Sequence, residues 1–135
     1  MLKVVLDTNV IVSGLNFVGG KPSETLDLVV YGDITNCVSS HIITETRKIL
    51  VRKFKWEEPA AEVAGLWLTT FSELINPDFR LAVITQDDPD NRIIECALKA
   101  GAEYIITGDH HLLNLQIYQD IKILKPAAFL KIFQV

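Results

Sequence analysis

The chain has 135 residues, of which 49% are hydrophobic, and its formal net charge is −4 at pH 7. This size suits one domain over residues 1–135 with a substantial core, and no apolar run approaches the roughly 20 residues that a membrane span needs. The acidic balance argues against a non-specific nucleic-acid-binding protein, which normally carries a basic excess. Because Asp7 interrupts the first apolar run, the N-terminus does not look like a secretory leader, and we expect a cytoplasmic protein without a membrane partner.

The apolar pattern alternates between short strand-like runs and longer runs at helical spacing. In chain order it predicts a strand over 2–6, a helix over 23–32 that Ser23 caps, a strand over 34–39, a helix over 40–54 that Ser40 caps, helices over 59–74 and 90–101, strands over 102–107 and 121–124, and a helix over 126–133. Strands separated by helices of ten or more residues are typical of a parallel sheet that is covered on both faces. We therefore predict an α/β protein, a single-domain α/β/α sandwich around a central, mainly parallel twisted sheet.

Four acidic residues fall near the expected binding edge of this sheet. Asp7 ends the first strand, Asp109 follows the third, Asp90 begins a helix and Glu45 lies within another helix. Ligands of open α/β sheets bind beyond the carboxyl ends of the strands, where Asp7 and Asp109 are expected. Two carboxylates about 4 Å apart repel each other by roughly 4 kcal/mol at an effective dielectric constant of 20, so a cluster needs protons or cations. Carboxylates suit Mg²⁺ or Mn²⁺, and such sites activate water for attack on phosphate or hold a phosphate-bearing ligand.

Each acidic residue also has an ordinary structural explanation. Asp7 could end a strand and cap a helix, and Glu45 could pair with Lys48 on its own helix, which is worth only about 0.3–0.5 kcal/mol. The acidic residues around Pro89 resemble a turn that leads into a helix, and adjacent histidines are more often exposed turn residues than ligands. The ordered set of acidic residues favours a functional site, because turn chemistry alone does not predict that set.

Four stretches of the sequence together resemble one known family. They are VVLDTNVIVSGL (4–15), SSHIITETRKIL (39–50), DDPDNRIIECALKAGAEYIITGDHHLL (87–113) and ILKPAAFL (123–130). They resemble the PIN-domain family of metal-dependent ribonucleases, and within it the VapC-like branch that supplies the toxin components of toxin–antitoxin pairs. The resemblance spans nearly the whole chain, and only 75–86 lacks a matching feature.

The resemblance implies a set of catalytic and metal-binding residues. The family's four acidic positions fall on Asp7, Glu45, Asp90 and Asp109. These side chains would hold one or two Mg²⁺ or Mn²⁺ ions, which lower the pKa of a water molecule and offset charge on the phosphate. Asp87 and Asp88 lie so close to Asp90 that the register of the third acid stays open.

Further residues would support the metal ligands or contact the RNA. Those that could support the ligands or contact the phosphate are Asn9, Thr107 and His111. Those that could contact the RNA backbone are Lys48 and Arg52 of the basic segment 47–55, together with Arg92. Relatives often carry a second Asp where this chain has His111, and an imidazole there can still bind manganese. His110 is expected to be a bystander.

Three functions are compatible with these residues. The first is a metal-dependent endoribonuclease that leaves a 5′-phosphate product, acts as a toxin paired with an antitoxin protein, and forms a homodimer. The second is a catalytically weak or inactive PIN-fold protein that binds RNA or serves as a scaffold, for which His111 is the main support. The third is a phosphatase or a phosphoacceptor receiver domain. It is disfavoured because this chain has Asp7-Thr8-Asn9 where a haloacid-dehalogenase-type phosphatase has Asp-x-Asp, and because it lacks the receiver's N-terminal acidic pair.

Overall fold

The computed structural model describes residues 1–133, which form six strands and seven helices. The strands are β1 (Lys3–Leu6), β2 (Thr35–Ser39), β3 (Ser72–Ile75), β4 (Tyr104–Ile106), β5 (Ile117–Tyr118) and β6 (Ile121–Leu124). The helices are α1 (Thr8–Asn16), α2 (Lys21–Val30), α3 (Ser40–Arg52), α4 (Glu58–Phe71), α5 (Asp88–Ala100), α6 (His110–Leu113) and α7 (Pro126–Phe133). The last two positions of the predicted domain, 134 and 135, lie outside the described residues.

The six strands form one sheet in the order β3-β2-β1-β4-β6-β5. Four of the neighbouring pairs are parallel, and β5 runs antiparallel to β6. The predicted α/β fold with a mainly parallel sheet is therefore confirmed. From β1 the chain first adds strands on one side of the sheet and later on the other, so the switch point lies between β1 and β4. Leu6 of β1 pairs with Ile106 of β4, so the carboxyl ends of the two strands lie side by side, where a ligand crevice is expected.

The central strands are apolar because helices and neighbouring strands bury them on every side. Val4 and Val5 of β1 and Ile105 and Ile106 of β4 are fully buried, which is typical of parallel strands covered on both faces. Helix α5 packs against the central strands, whereas α3 packs against α1 and α4. This burial fixes the positions from which the loops after β1 and β4 leave the sheet.

The helices are short compared with a membrane span, which needs about 20 predominantly apolar residues. The longest, α4, has 14 residues. Within residues 1–133 no helix has the length and apolar character required to cross a membrane.

Four elements of the structure were not predicted from the sequence, namely α1, β3 and the short elements α6 and β5. The helix predicted over 59–74 ends at Phe71, because Ser72–Ile75 pairs with β2 as the edge strand β3. Residues 8–16 form α1, which the apolar pattern did not predict. Val10, Ile11 and Val12 are β-branched and favour strands locally, but burial, with α1 packed against α2 and α3, and a capping Asp7 side chain stabilise the helix instead.

Three predicted helix starts are also wrong by one or more residues. The N-cap of α2 is Gly20 rather than Ser23, and Pro22 occupies the first turn, where its missing N–H does little harm. Helix α3 is capped by Ser39 rather than Ser40, since the Ser39 hydroxyl accepts a hydrogen bond from the backbone N–H of Ile42 at 3.3 Å. Helix α5 begins at Asp88 rather than Asp90.

Candidate active site

Asp7 and Asp109 are connected through the side chain of Thr107. The Thr107 hydroxyl donates to Asp7 Oδ2 at 2.7 Å, and the same hydroxyl oxygen accepts from the backbone N–H of Asp109 at 2.9 Å. Asn9 makes a second connection, because its Oδ1 accepts from the backbone N–H of Gly108 at 3.3 Å. Thr107 is fully buried. The loops after β1 and β4 are thus held together at the switch point, with one acidic residue on each.

Both of these acidic residues also cap helices. Asp7 Oδ1 accepts from the backbone N–H of Thr8 at 2.7 Å at the start of α1, and Asp109 Oδ2 accepts from that of Leu112 at 3.2 Å at the start of α6. The ordinary explanation of these residues therefore holds alongside the functional one. A carboxylate has about four lone-pair sites, so these hydrogen bonds leave each group able to bind a cation.

The structure distinguishes the three acidic residues at the start of α5. Asp90 is only 8% exposed and faces the cleft, and Asp87 lines the same cleft. The Asp88 side chain is 75% exposed and pairs with Arg92 at 3.3 Å. Asp90, with Asp87 beside it, therefore lies where the third acid was expected, and Asp88 points away.

Helix α3 contributes the fourth acidic residue. Glu45 lines the cleft, although its carboxylate also lies 3.7 Å from the ammonium group of Lys48. His41, which the sequence analysis did not single out, lines the cleft as well. His41 precedes Glu45 by four residues and so lies on the same face of α3, a spacing that could have predicted its place in the cleft.

These segments enclose a cleft of about 200 Å³. Its lining residues come from the loop after β1, from α3, from the start of α5 and from the loop after β4, and they are Asp7, Thr8, Asn9, His41, Glu45, Ile49, Asp87, Pro89, Asp90, Ile93 and Asp109. The four acidic residues predicted to act together are thus gathered around one cavity.

The concentration of carboxylates alters their protonation. Burial raises the pKa of Asp7 to about 6, with hydrogen bonds from Thr107 and Thr8 opposing the shift and the nearby charges of Asp109 and Asp87 adding to it. Burial, together with the contact between Asp90 and Asp109, raises the pKa of Asp90 to about 8. Without a cation, Asp90 therefore retains its proton at neutral pH, and Asp7 takes one up at about pH 6.

His111 lies beside two of these carboxylates. Its Nδ1 is 3.8 Å from Asp90 Oδ2 and 3.8 Å from Asp109 Oδ2. Both His111 Nδ1 and Asp90 Oδ2 are buried and have no hydrogen-bond partner among the described residues. His110 is exposed and packs its ring against that of His111, with the ring centroids 4.1 Å apart. An unpaired buried carboxylate oxygen among further carboxylates fits a site for Mg²⁺ or Mn²⁺.

The basic residues expected to contact RNA lie in different places. Lys48 and Arg52, together with Lys53, line a groove between α1 and α3. This groove continues into the acidic cleft, because Asn9, Glu45 and Ile49 line both.

Arg92 lies away from this groove and is largely buried. Its side chain is 11% exposed, and Nη2 donates to Glu95 Oε2 at 2.7 Å and to the backbone oxygen of Leu81 at 3.2 Å. The structure thus brings Lys48 and Arg52 to the edge of the cleft and places Arg92 within the protein, where it stabilises the segment before α5.

A mainly parallel sheet with a carboxylate cluster at its switch point makes this chain an α/β protein with a candidate cation-binding cleft. The PIN domain family model matches residues 3–111, a range that includes all four acidic residues and His111. MJ1680, an uncharacterised protein of Methanocaldococcus jannaschii, is 35% identical over 119 residues, which cover 85% of this chain and 76% of that relative. The chain belongs to the PIN-domain family, whose members are generally nucleases, so the resemblance seen in the sequence is confirmed.

A solved structure shows the same fold. It is the crystal structure of VapBC2 from Rickettsia felis bound to a DNA fragment from their promoter. One of its chains matches with a TM-score of 0.64, over 90% of this chain and 97% of that chain, at 15% sequence identity.

Proposed function

We propose that the protein is a metal-dependent endoribonuclease that hydrolyses phosphodiester bonds of RNA. The observation that carries this proposal is the convergence of Asp7, Glu45, Asp90 and Asp109 from four separate segments on one cleft. Membership of a family whose members are generally nucleases supports it. A cluster of carboxylates with raised pKa values is costly to maintain, which is expected where the charges serve to bind cations.

Asp7, Asp90 and Asp109 would hold one or two Mg²⁺ or Mn²⁺ ions, and Glu45 would complete the set or orient a water molecule. When bound, the ion lowers the pKa of a water molecule and offsets negative charge on the phosphate. Thr107 would position the site by holding Asp7 and Asp109 in register. In the reaction the oxygen of water bonds to phosphorus and the bond from phosphorus to the 3′ oxygen breaks. The two protons of water are shared between that leaving oxygen and the medium, which yields a 3′-hydroxyl and a 5′-phosphate.

The test of this function is cleavage of single-stranded RNA by the purified protein. We expect cleavage in Mn²⁺ that stops in excess EDTA and returns when Mn²⁺ is restored. Robust cleavage in excess EDTA would refute the metal-dependent mechanism. If the folded protein binds RNA but shows neither cleavage nor detectable binding of divalent ions by calorimetry, the scaffold alternative is correct.

The groove lined by Lys48, Arg52 and Lys53 is the proposed path of the RNA backbone into the cleft. In an acidic protein this local positive charge is needed to attract phosphate, and it borders the site directly. The Lys48→Gln/Arg52→Gln double variant is expected to raise KM with little change in kcat. The slope of the logarithm of the RNA-binding constant against the logarithm of the salt concentration should become shallower. The change should be roughly 0.7 for each phosphate that the variant no longer neutralises. Lys131→Gln on α7 is the matched control, and equal effects of the control and the double variant would rule out this path.

Two partner proposals accompany the ribonuclease. We propose that the protein is a cytoplasmic toxin neutralised by an antitoxin protein, since the similar fold in VapBC2 comes from a protein pair. We also propose a homodimer, which would cover apolar side chains exposed on α4 and β3, namely Val63, Leu66 and Leu74. Growth arrest on expression that Asp7→Asn relieves would support the toxin role, and normal growth would contradict it. Sedimentation at the mass of a monomer at micromolar concentration would contradict the dimer.

A further inference from the structure

We propose that Asp87, Asp90 and His111 form a nitrogen-containing metal subsite that binds Mn²⁺ in preference to Mg²⁺. This inference rests on the proposed metal-dependent function of the same cleft. It adds to that function two donors outside the four-carboxylate set, Asp87 and His111, and a preference for one ion. His111, which could be taken as a sign of reduced activity, becomes part of the ion-binding machinery.

The geometry of the three side chains suits a shared ion. One donor atom from each of Asp87, Asp90 and His111 lies within 4.8 Å of the others. The separation of His111 Nδ1 from Asp90 Oδ2 is 3.8 Å, which is too long for a hydrogen bond. Adjacent donors about 2.1 Å from one octahedral ion lie about 3.0 Å apart, so a closing movement of about 0.8 Å would bring this pair onto the same ion.

The burial of two unpaired atoms is the independent observation that points to a ligand. Asp90 is only 8% exposed, and its Oδ2 has no hydrogen-bond partner among the described residues. His111 Nδ1 is likewise buried and without a partner in that part of the chain, and it faces the same oxygen. Burying polar atoms without partners is unfavourable, and one cation between these two atoms would satisfy both.

The donor types determine which ion is preferred. Mg²⁺ is a hard cation that takes oxygen ligands and keeps much of its hydration shell. Carboxylates suit Mg²⁺ and Mn²⁺ alike, and imidazole nitrogen suits transition metals such as Zn, Cu, Fe and Ni. Mn²⁺ is itself a transition metal, so it accepts an imidazole nitrogen more readily than Mg²⁺ does. Of the two ions proposed for this cleft, Mn²⁺ therefore gains more from a site with two carboxylates and one imidazole.

Calorimetric titration of the full chain with Mn²⁺ and with Mg²⁺, in the absence of RNA, tests the preference. His111→Ala should weaken Mn²⁺ binding on the order of 10- to 100-fold and change Mg²⁺ binding much less. His111→Asp, which supplies oxygen instead of nitrogen, should retain binding and bring the two affinities closer together. His110→Ala removes an exposed ring that packs against His111 near Asp109, so it should weaken Mn²⁺ binding much less than His111→Ala does. Mn²⁺ binding by His111→Ala that is as tight as in the unaltered protein would overturn the proposal.

The adjacent acidic residues of α5 provide a second matched pair. Asp87→Asn should weaken Mn²⁺ binding, whereas Asp88→Asn, at the exposed position next to it, should not. Equal effects of the two substitutions would contradict the assignment of Asp87.

A spectroscopic measurement distinguishes ligation from a structural role. Electron spin echo measurements on the Mn²⁺-loaded protein should show coupling to a nitrogen-14 nucleus that disappears in His111→Ala and persists in His110→Ala. If Mn²⁺ binds without this coupling while RNA is cleaved, the subsite is refuted and the ribonuclease function stands. If the coupling is present but no RNA is cleaved, the subsite stands and the ribonuclease function is refuted.

Discussion

Replacing Asp109 or Asp7 by Asn is expected to reduce Mn²⁺-dependent RNA cleavage on the order of 100-fold or more, because each substitution removes one charge from the ligand set. The fold should be retained. The carboxylate of each residue caps a helix, and the Asn side-chain oxygen can accept the same hydrogen bond, which makes Asn as good an N-cap as Asp. The initial rate of cleavage of single-stranded RNA measures the effect.

The control for this prediction is Asp27→Asn, which alters an exposed acidic residue on α2 and should leave the rate unchanged. Chemical denaturation of each variant without metal verifies that folding is intact. Rates of Asp109→Asn and Asp7→Asn within about threefold of the unaltered protein would show that these carboxylates do not take part in the reaction.

The metal-free protein is expected to lose stability as the pH rises from about 4 to about 8, which is opposite to the usual effect of carboxylates. Burial raises the pKa of Asp7 to about 6, and burial together with the neighbouring Asp109 raises that of Asp90 to about 8, from an ordinary value of 3.8. Between the ordinary pKa of 3.8 and the folded-state pKa of about 8, the folded state binds more protons than the unfolded chain. Removing protons therefore favours unfolding. The stabilisation that comes from the protons on Asp7 and Asp90 is fully present below pH 3.8. It disappears as the pH rises through the folded-state pKa values of these two residues. For Asp7 alone it amounts to about 3 kcal/mol, at about 1.4 kcal/mol per pH unit.

Asp90→Asn should remove much of this pH dependence, because the amide carries no charge at any of these pH values. Urea unfolding in EDTA at four pH values between about 5 and about 8 should give a free energy of unfolding that falls less steeply for the variant. At the highest of these pH values it should even exceed that of the unaltered protein. Mn²⁺ should stabilise the unaltered protein more at high pH than at low pH, since it binds the ionised carboxylates. Parallel pH profiles for the two proteins would contradict the assigned protonation of Asp90.

The grouping of Asp7, Asp90 and Asp109 in one cleft was largely predictable because these residues occupy the ends of predictable elements. Asp7 and Asp109 follow the apolar runs of β1 and β4, and neighbouring parallel strands end at the same edge of the sheet. The choice among the acidic residues around Pro89 was not predictable. It depends on the rotation of α5 against the sheet, and the sequence pattern near a helix start does not reveal that rotation.

The elements that escaped prediction are either determined by distant contacts or too short to show a pattern. Strand β3 is an edge strand with one exposed apolar side chain, Leu74, so its sequence continues the helical pattern of α4. Strand β5 has two residues and α6 has four, which is too short for periodicity to be detected. The burial of Arg92 was not predicted either, because the backbone oxygen of Leu81 to which it donates lies 11 residues away in the sequence.

The irregular segment before α5 is attached to that helix through side chains. Asn91 both accepts from the backbone N–H of Ile84 and donates to its backbone oxygen, each at 2.8 Å, as a neighbouring strand would. Glu95 accepts from the backbone N–H of Leu81 at 2.7 Å. The stretch from Leu81 to Asp87 therefore has a fixed length and register. A residue inserted just before Leu81 is therefore expected to leave Asp87 in place, whereas one inserted after Ile84 would shift the start of α5 and alter the cleft.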